Sequence, residues 1–395
     1  MLQPLNNPVT SKYNLMPLIP VIFFIFIFFD CGSLGLKKPE IRAERFVYFS
    51  AVGDVMVHST QLDSAYNKKC KCWDFEPVFS EVRDSFRDSD LNFCNLETTL
   101  PGDKTKYSGD LLFGTPDSIV KALKNTGFNI INTANNHSVD KGSLGIDHTI
   151  QVLDDHNLWH IGTYFSFENY KKNRILMIKK NDILFAFLSY TYGINGIQIP
   201  KGKIVNLIDK KVISEDISIA RKKKADVIVA YFHFGVEYQR EPNFFQKEIV
   251  SFAFREGADI VLASHPHVLQ PYEFKMIRDK YGKAKKRLVI YSLGNFISAQ
   301  HRRYRDGGII FNFCLKKTIY KMSSQIHIEN IRIIPVWVYL HKVKKEKKYY
   351  LIPVEKYLKN DRELKMTQNA HQRMLQFYND TNTHFKEYSA VEESY

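Results

Sequence analysis

The sequence predicts an α/β fold in which polar side chains collect at the carboxyl ends of parallel strands. Three observations favour it: short apolar runs of strand length recur along the chain, polar clusters end many of them, and helical patterns follow. Helices alternate with strands in the earlier part of the chain, whereas the later strands follow one another directly. A sandwich of two sheets is therefore favoured over one doubly wound sheet.

The predicted elements were placed from apolar spacing and from start and stop residues. Strands are predicted at 46–52, 91–96, 128–132, 174–179, 183–190, 227–232, 260–263, 287–292, 308–314 and 326–338. Helices are predicted at 78–88, 118–126, 145–156, 213–224, 244–256 and 363–378. Two of these helices stop at Gly127 and Gly257, because glycine readily leaves the helical backbone.

Length and composition are those of a globular protein with a sizeable core. The chain has 395 residues, of which 44% are hydrophobic and 25% are charged. Its formal net charge of +14 favours anionic partners. The sequence contains no arginine-rich arm, zinc-finger spacing or aromatic RNA-binding signature, so nucleic acid is not the predicted partner.

The N-terminus contains an apolar run at 15–29 that precedes Cys31. The run is short for a membrane-spanning helix and has the length of a secretory-signal core. Cys31, followed by Gly32 and Ser33, resembles the lipidated cysteine of a bacterial lipoprotein, although Asp30 stands where a small residue is usual. Three interpretations stay open: a lipoprotein, an uncleaved membrane anchor and a cleaved signal. Each places the bulk of the chain outside the cytoplasm.

We expect a leader over 1–31, a linker over 32–45, one main domain over 46–340 and a helical C-terminal extension over 341–395. Cysteines also occur at 70, 72, 94 and 314. The first two are separated by a single residue and are expected to be too close for an easy mutual disulfide. A disulfide is compatible with an oxidising compartment, but the pairing stays open.

Five predicted strand ends carry side chains suited to bind a metal. The candidate ligands are Asp54, His58, Glu97, Asn136, His233, His265 and His267, with His137 next to one of them. Each alone has an ordinary explanation, such as a helix cap, an ion pair or a buried histidine. Their recurrence at one topological position predicts a common site, since carboxylate, amide and imidazole suit borderline divalent metals. So many ligands predict a pair of ions.

Six short motifs occur in order along the chain. They are Gly53-Asp-Val-Met-Val-His58, Asn95-Leu-Glu97, Ala134-Asn-Asn-His137, His233-Phe-Gly-Val-Glu-Tyr238, Ser264-His-Pro-His-Val-Leu-Gln270 and Ser292-Leu-Gly-Asn-Phe296. Together they resemble the CapA family, the poly-γ-glutamate capsule biosynthesis proteins related to calcineurin-like metallophosphoesterases, over residues 47–315. The resemblance implies that the domain 46–340 is a metallophosphoesterase-like, four-layer α/β-β/α sandwich around two divalent ions, Mn, Fe or Zn.

The resemblance also implies roles for individual residues. Metal-ligand positions are matched by Asp54, Glu97, Asn136, His233, His265 and His267, with Glu97 as the bridging carboxylate. His137 matches the histidine that protonates a leaving oxygen, and with Asp54 it is our catalytic candidate. Glu237 and Arg305 are weaker candidates for substrate binding. The phosphoesterases place a histidine where Met56 stands here, so the metal spacing differs.

The function implied is that of a membrane-anchored, extracytoplasmic protein of the bacterial cell envelope. It is expected to act in synthesis or export of poly-γ-glutamate or a related anionic polymer, beside other capsule subunits. If it is an enzyme, it is expected to be a hydrolase or transferase at a phosphoryl or amide centre. Two alternatives stay open: a secreted phosphoesterase unrelated to capsule, and a non-catalytic assembly partner that keeps the metal for folding or polymer binding.

Overall fold

The computed structural model describes residues 40–343, 346–359 and 364–392. One structural unit begins at Ile41. The predicted leader 1–31 and its candidate lipidation site Cys31 lie outside the described residues.

The described residues form eighteen strands, several of them only two residues long. In chain order they are β1 (Ile41–Val55), β2 (Tyr66–Asn67), β3 (Cys72–Trp73), β4 (Leu91–Leu96), β5 (Ile130–Asn132), β6 (Trp159–Ile161), β7 (Thr163–Tyr164), β8 (Leu176–Lys180), β9 (Ile183–Thr191), β10 (Ile204–Val205), β11 (Val227–His233), β12 (Ile260–Ser264), β13 (Leu269–Arg278), β14 (Ala284–Leu293), β15 (Asn295–Ile297), β16 (Gly307–Tyr320), β17 (Ser324–Val343) and β18 (Glu346–Pro353).

Eight α-helices accompany these strands in the described part of the chain. They are α1 (Ser59–Ala65), α2 (Ser118–Thr126), α3 (Gly142–Asp155), α4 (Phe167–Asn173), α5 (Lys210–Lys222), α6 (Phe244–Glu256), α7 (Val354–Leu358) and α8 (Gln368–Glu392). Short 3₁₀ helices occupy Glu76–Phe79, Arg83–Phe86 and Gly102–Lys104. None of the helices in the described ranges has both the length and the apolar character that crossing a membrane requires.

Two large sheets contain most of the strands. The first sheet has the order β18-β17-β16-β1-β4-β5-β6, and β15 also pairs with β1. Within it, β1, β4, β5 and β6 are parallel. The second sheet has the order β13-β14-β12-β11-β9-β8, in which β9, β11, β12 and β14 are parallel. Parallel neighbours end at the same edge of a sheet, which is where loops gather ligands.

The two sheets pack face to face over a shared apolar core. Phe49 of the first sheet stacks with Phe187 of the second at 6.1 Å between ring centroids, and Phe93 meets Tyr231 at 5.3 Å. Helix α2 covers the outer face of the first sheet, and helices α5 and α6 cover the outer face of the second. The layers are therefore helix, sheet, sheet and helix. The predicted α/β, four-layer sandwich is confirmed.

Helices α2 and α6 have the predicted bounds because their end signals are strong. Helix α2 ends at Gly127, whose φ of 113° is accessible to glycine and whose N–H donates to the last helical carbonyls. Helix α6 begins after Asn243, whose side chain accepts from the N–H of Gln246, while the Gln246 side chain accepts from the N–H of Asn243. This reciprocal cap fixes the start of the helix.

The helix predicted at 78–88 is wrong. That segment contains two 3₁₀ turns, in which the N–H of Val82 donates to Phe79 and that of Ser85 donates to Val82. The apolar residues Val78, Phe79, Val82 and Phe86 are still buried, at the three- to four-residue spacing that predicted the helix. The local run of Ser and Asp offers the backbone competing hydrogen bonds, which favours short turns over a continuous α-helix.

Differences also occur at both ends of the unit. Strand β1 begins at Ile41, inside the predicted linker, because its first residues pair with β16 along almost the whole length of both strands. After residue 341, where only helix was predicted, β18 adds an edge strand to the first sheet before α7 and α8.

Cys70 and Cys72 form a disulfide, contrary to the expectation that they were too close to pair. Lys71, between them, has a φ of 55°, which curls the chain and places the two Cα atoms 5.3 Å apart. That separation lies in the range that a disulfide requires. Cys94 and Cys314 are buried free thiols.

Candidate metal centre

The first sheet contributes carboxylate and amide groups to one edge of the sandwich. Asp54 lies near the end of β1, Glu97 follows β4 directly, and Asn136 lies in the loop after β5. Strand β1 approaches Gly294 so closely that a Cβ on Gly53 would lie 1.9 Å from the Gly294 carbonyl oxygen. Glycine at position 53 is therefore needed for this close approach.

The second sheet contributes three imidazoles from the opposite side. His233 is the last residue of β11, and His265 and His267 lie in the loop after β12. Both loop histidines have positive φ, 110° and 57°, which is uncommon for non-glycine residues. The loop is fixed where the N–H of Tyr238 donates to the carbonyl of Pro266 at 2.7 Å. Backbone strain of this kind persists only where the surroundings hold it and is concentrated at functional sites.

These side chains meet as two overlapping groups that share Glu97. One group is Glu97, His233 and His265, and the other is Asp54, Glu97 and His267; within each, the ligand atoms lie within 4.8 Å of one another. Asn136 joins the first group, because its Oδ1 lies 2.7 Å from His233 Nε2. Two ligand sets joined by one carboxylate are the arrangement expected for two neighbouring ions.

Glu97 is the least compensated charge in the centre. Its side chain is fully buried, and its Oε1 accepts no hydrogen bond although His233 Nε2 lies 3.4 Å away and His267 Nε2 lies 3.9 Å away. Burial, and then the charge of Asp54, raise the pKa of Glu97 well above its ordinary value. His265 Nδ1 is likewise buried without a partner. Divalent ions fit these unpaired donor atoms.

The other candidate ligands are held in the forms that can bind a metal. Burial alone would raise the pKa of Asp54, but the hydrogen bond and the charge of His267 outweigh it and leave the pKa far below its usual range. Burial and the neighbouring His265 lower the pKa of His233, and burial with His267 lowers the pKa of His265 to about 4. Ionised Asp54 and neutral imidazoles are the forms that bind metals.

His137 lies beside the centre and is oriented by a residue that the sequence analysis missed. Its Nδ1 is 2.7 Å from Asp140 Oδ2, and the same oxygen accepts the backbone N–H of Phe113 at 2.6 Å. The Phe113 ring also packs edge-on against the His137 ring at 4.6 Å. His137 Nε2 is therefore the ring nitrogen that the contact with Asp140 leaves available. The spacing of His137 and Asp140 within one short turn was the available signal.

His58 is not brought into either ligand group, so the prediction of a ligand there gains no support. Its Nδ1 accepts the backbone N–H of Ala299 at 3.2 Å, and its own N–H donates to Gln61 as helix α1 begins. The strand ends at Val55, and the chain turns before reaching His58. The segment that carries His58 therefore lies beyond the strand that carries Asp54.

The two weaker substrate-binding candidates lie on the rim. Glu237 is exposed, and its charge contributes to raising the pKa of Glu97. The Arg305 guanidinium carbon lies 3.2 Å from the centroid of the Tyr238 ring. Tyr238 is the residue whose N–H fixes the loop of His265 and His267. Tyr192 covers His265 from another side, with ring centroids 4.5 Å apart.

Two asparagines of the six motifs, Asn95 and Asn295, support the candidate ligands. Asn95 Nδ2 donates to Asp54 Oδ1 at 2.7 Å, and Asn95 lies two residues before Glu97 on one strand face. Asn295 Oδ1 lies 3.1 Å from His267 Nδ1. Partners of this kind orient metal ligands. The signal for Asn95 was a polar residue in a mostly apolar strand, two residues before Glu97.

Two solved structures share part of this architecture at low sequence identity. The Haemophilus influenzae NAD nucleotidase (NadN) has a TM-score of 0.49 and 10% identity, with 89% of this chain and 68% of that chain covered. The calcineurin-like phosphoesterase YfkN from Bacillus subtilis has a TM-score of 0.42 and 11% identity, with 86% and 98% covered.

Sequence relatives cover most of the chain. The PGA biosynthesis protein CapA of Bacillus subtilis (strain 168) is 30% identical over 306 residues, which are 76% of this chain and 76% of that protein. The capsule biosynthesis protein CapA of Bacillus anthracis is 30% identical over 307 residues, 75% and 70% of the two chains. The family described as bacterial capsule synthesis protein PGA_cap matches residues 48–300. The six motifs thus lie in a chain that belongs to the bacterial capsule synthesis protein family PGA_cap.

Proposed function

We propose that the protein is a metal-dependent hydrolase or transferase that acts on an anionic capsule polymer, such as poly-γ-glutamate, outside the cytoplasm. Membership of the capsule synthesis family supports the polymer, and the similarity to the PGA biosynthesis protein CapA of Bacillus subtilis supports poly-γ-glutamate in particular. The reacting centre would be a phosphoryl or amide group of the polymer or of its carrier.

The observation that carries the proposal is the buried, unpaired carboxylate oxygen of Glu97 between two ligand groups. A buried carboxylate without a partner is costly, and a cation removes that cost. Two divalent ions bound by Asp54, Glu97, Asn136, His233, His265 and His267 would supply Lewis-acid polarisation of the substrate oxygen.

The chain's own residues would position the substrate and move the proton. Asp140 holds His137 by Nδ1, so Nε2 faces the leaving oxygen and can protonate it. Tyr192 and Tyr238 form walls over the loop histidines, and Arg305 places a positive charge on the rim where an anionic substrate enters. The oriented acid favours catalysis over a purely structural role for the metal.

We further propose that the N-terminus attaches the domain to the membrane. The apolar run 15–29 and the following Cys31 support a lipoprotein, with an uncleaved anchor or a cleaved signal as the alternatives. Strand β1 begins at Ile41, which leaves a connection of nine residues after Cys31, or roughly 30 Å at most if such a connection were fully extended. The domain would then work close to the membrane surface.

The test is the metal content and activity of the full-length protein and of Glu97→Gln. We expect about two equivalents of Mn, Fe or Zn in the wild type and at most one in the variant, with loss of phosphoester turnover. The matched control is Glu248→Gln. Glu248 lies in α6 and forms a partly exposed ion pair with Lys210 of α5, and this variant should keep both ions. A wild type that binds no metal under metal-replete conditions would overturn the proposal.

A further inference from the structure

The hairpin Tyr66–Trp73, here called the lysine hairpin, is a surface that the metal centre does not explain. It consists of strands β2 and β3 and the turn between them, and it contains Lys68, Lys69 and Lys71 but no acidic residue. All three lysines are exposed, and none of them forms an ion pair with any residue in the described part of the chain. We propose that the lysine hairpin is a secondary binding site for the anionic polymer.

Several other lysines of this protein are paired with acidic residues. Lys179 and Lys180 contact Asp182 and Asp90, and Lys317 contacts Asp226. Those charges are neutralised by the fold, whereas the charges of the lysine hairpin face solvent without compensation. The lysines at 222–224 are also exposed and unpaired within the described ranges, but they follow Arg221 at the amino end of the second sheet, so the hairpin is distinguished by its connection to the metal centre. A compact set of uncompensated positive charges attracts polyanions, and this attraction is only partly screened at short range.

The lysine hairpin is held firmly rather than being a loose tail. Its Tyr66 and Trp73 rings pack 4.9 Å apart, and Trp73 packs edge-on against Tyr107 at 4.8 Å. Trp73 and Tyr107 also rest on the apolar core beneath the first sheet. At the other end of the turn, the disulfide between residues 70 and 72 closes a small ring around Lys71. The lysines are therefore presented from a fixed base.

The same contacts connect the lysine hairpin to the metal centre. Tyr107 precedes a loop that is closed by backbone hydrogen bonds between Ser108 and Gly114 and that carries Phe113, the residue packed on His137. Helix α1 provides a second connection, since its N-cap is His58, which follows the strand of Asp54, and its C-cap is Tyr66, the first residue of the lysine hairpin. Its seven residues span about 10 Å. A polymer several units long can therefore reach the lysine hairpin while one unit lies at the metal centre.

This inference rests on the proposed function for the identity of the polymer, a polycarboxylate. A short substrate would reach only the metal centre, whereas a long chain would also contact the lysines. The lysine hairpin should thus raise the affinity for long polymer and leave turnover of small substrates unchanged. This difference separates a binding site from a residue that acts in the reaction.

The experiment compares Lys68→Gln/Lys69→Gln/Lys71→Gln with the charge-matched control Lys222→Gln/Lys223→Gln/Lys224→Gln in the full-length protein. The control residues are exposed and follow one another at the end of α5. Binding of a long fluorescein-labelled poly-γ-glutamate chain is measured by anisotropy over a salt series. Metal content and hydrolysis of a small phosphoester are measured on the same samples.

We expect about five- to tenfold weaker polymer binding in the hairpin variant, as for the loss of three exposed ion contacts, and a weaker salt dependence. The control should bind like the wild type, and both variants should keep metal and small-substrate turnover. Equal affinities in the two variants would overturn the inference. If the wild type bound no metal but the hairpin variant still bound polymer more weakly than the control, only the proposed function would be overturned.

Discussion

Two clusters of buried acids lie near the amino and carboxyl ends of the parallel strands of the second sheet. The first is paired with basic side chains of the protein, and the second contains a carboxylate oxygen without a partner. At the amino end, Asp259 precedes β12 and contacts Arg221 at 2.7 Å, Arg287 at 3.2 Å and Lys285. Arg287 is fully buried and also contacts Asp279 at 2.6 Å. At the carboxyl end, Glu97 is buried among histidines with one oxygen unpaired.

The comparison shows how a structural ion network differs from a metal centre. Both ends bury carboxylates, which is costly unless an opposite charge compensates. At the amino end the protein supplies the cations itself: the pKa of Asp279 is lowered although burial opposes it, because Lys283 N–H and Arg287 stabilise the ionised form. At the carboxyl end the pKa of Glu97 is raised, as expected for a site whose cation comes from solution.

Arg287→Met is the strongest way to break the amino-end cluster. It leaves Asp259 and Asp279 without their shared buried cation, so we expect a loss of about 3–5 kcal/mol in the free energy of unfolding. Urea denaturation measures this loss. Metal content per folded molecule should not change, and a drop in metal content with the fold intact would contradict the separation of the two clusters.

Removing metal should destabilise the carboxyl end alone. With ions present at a hundred times the dissociation constant, chelation should lower the free energy of unfolding by about 2.7 kcal/mol. Thermal or urea unfolding with and without EDTA measures the difference. In Glu97→Gln the chelator should have little effect, whereas in Arg287→Met it should cost as much as in the wild type. A chelator effect that is equal in wild type and Glu97→Gln would argue against the shared carboxylate.

Asp140→Asn sharpens the division between ligands and positioning residues at the carboxyl end. The variant keeps the volume but weakens the contact that orients His137, so kcat for a small phosphoester should fall about ten- to hundredfold. Metal content should stay at the wild-type value. The control Asp147→Asn should leave kcat unchanged. Asp147 lies in α3, directly after the turn of Asp140, and forms an ion pair with Lys203 at the surface. Metal loss in Asp140→Asn would instead make Asp140 part of the metal centre.

His58→Ala should have the smallest effect. It removes one acceptor for the Ala299 N–H, which costs about 1 kcal/mol of stability. Metal content should be unaffected, because His58 lies in neither ligand group. Retention of both ions, measured by elemental analysis, would place the edge of the metal centre at Asp54 in this segment. Loss of one ion would restore His58 as a ligand.

The sequence by itself determined much of the architecture. Gly127 and Gly257 ended two helices at the predicted residues, because a positive φ there is a local property of the backbone. Apolar runs ending in Asp54, Glu97 or His233 predicted strands whose ends share one edge, since parallel strands follow from the alternation with helices. The motifs that carry these residues lie at or next to strand ends.

Tertiary structure decided which atoms meet. The sequence grouped His58 with Asp54, but the chain turns after Val55 and the imidazole contacts Ala299 instead. It made no prediction of Asn95 beside Asp54, because that contact joins two strands that are separate in the chain. The contact of Asp140 with His137 lies within one turn, but the Phe113 ring that packs on His137 comes from a separate loop. Local propensity fixes where an element ends, whereas the position of a side chain between two sheets depends on packing between residues distant in sequence. The shared position of Glu97 in both ligand groups is therefore a property of the assembled sandwich.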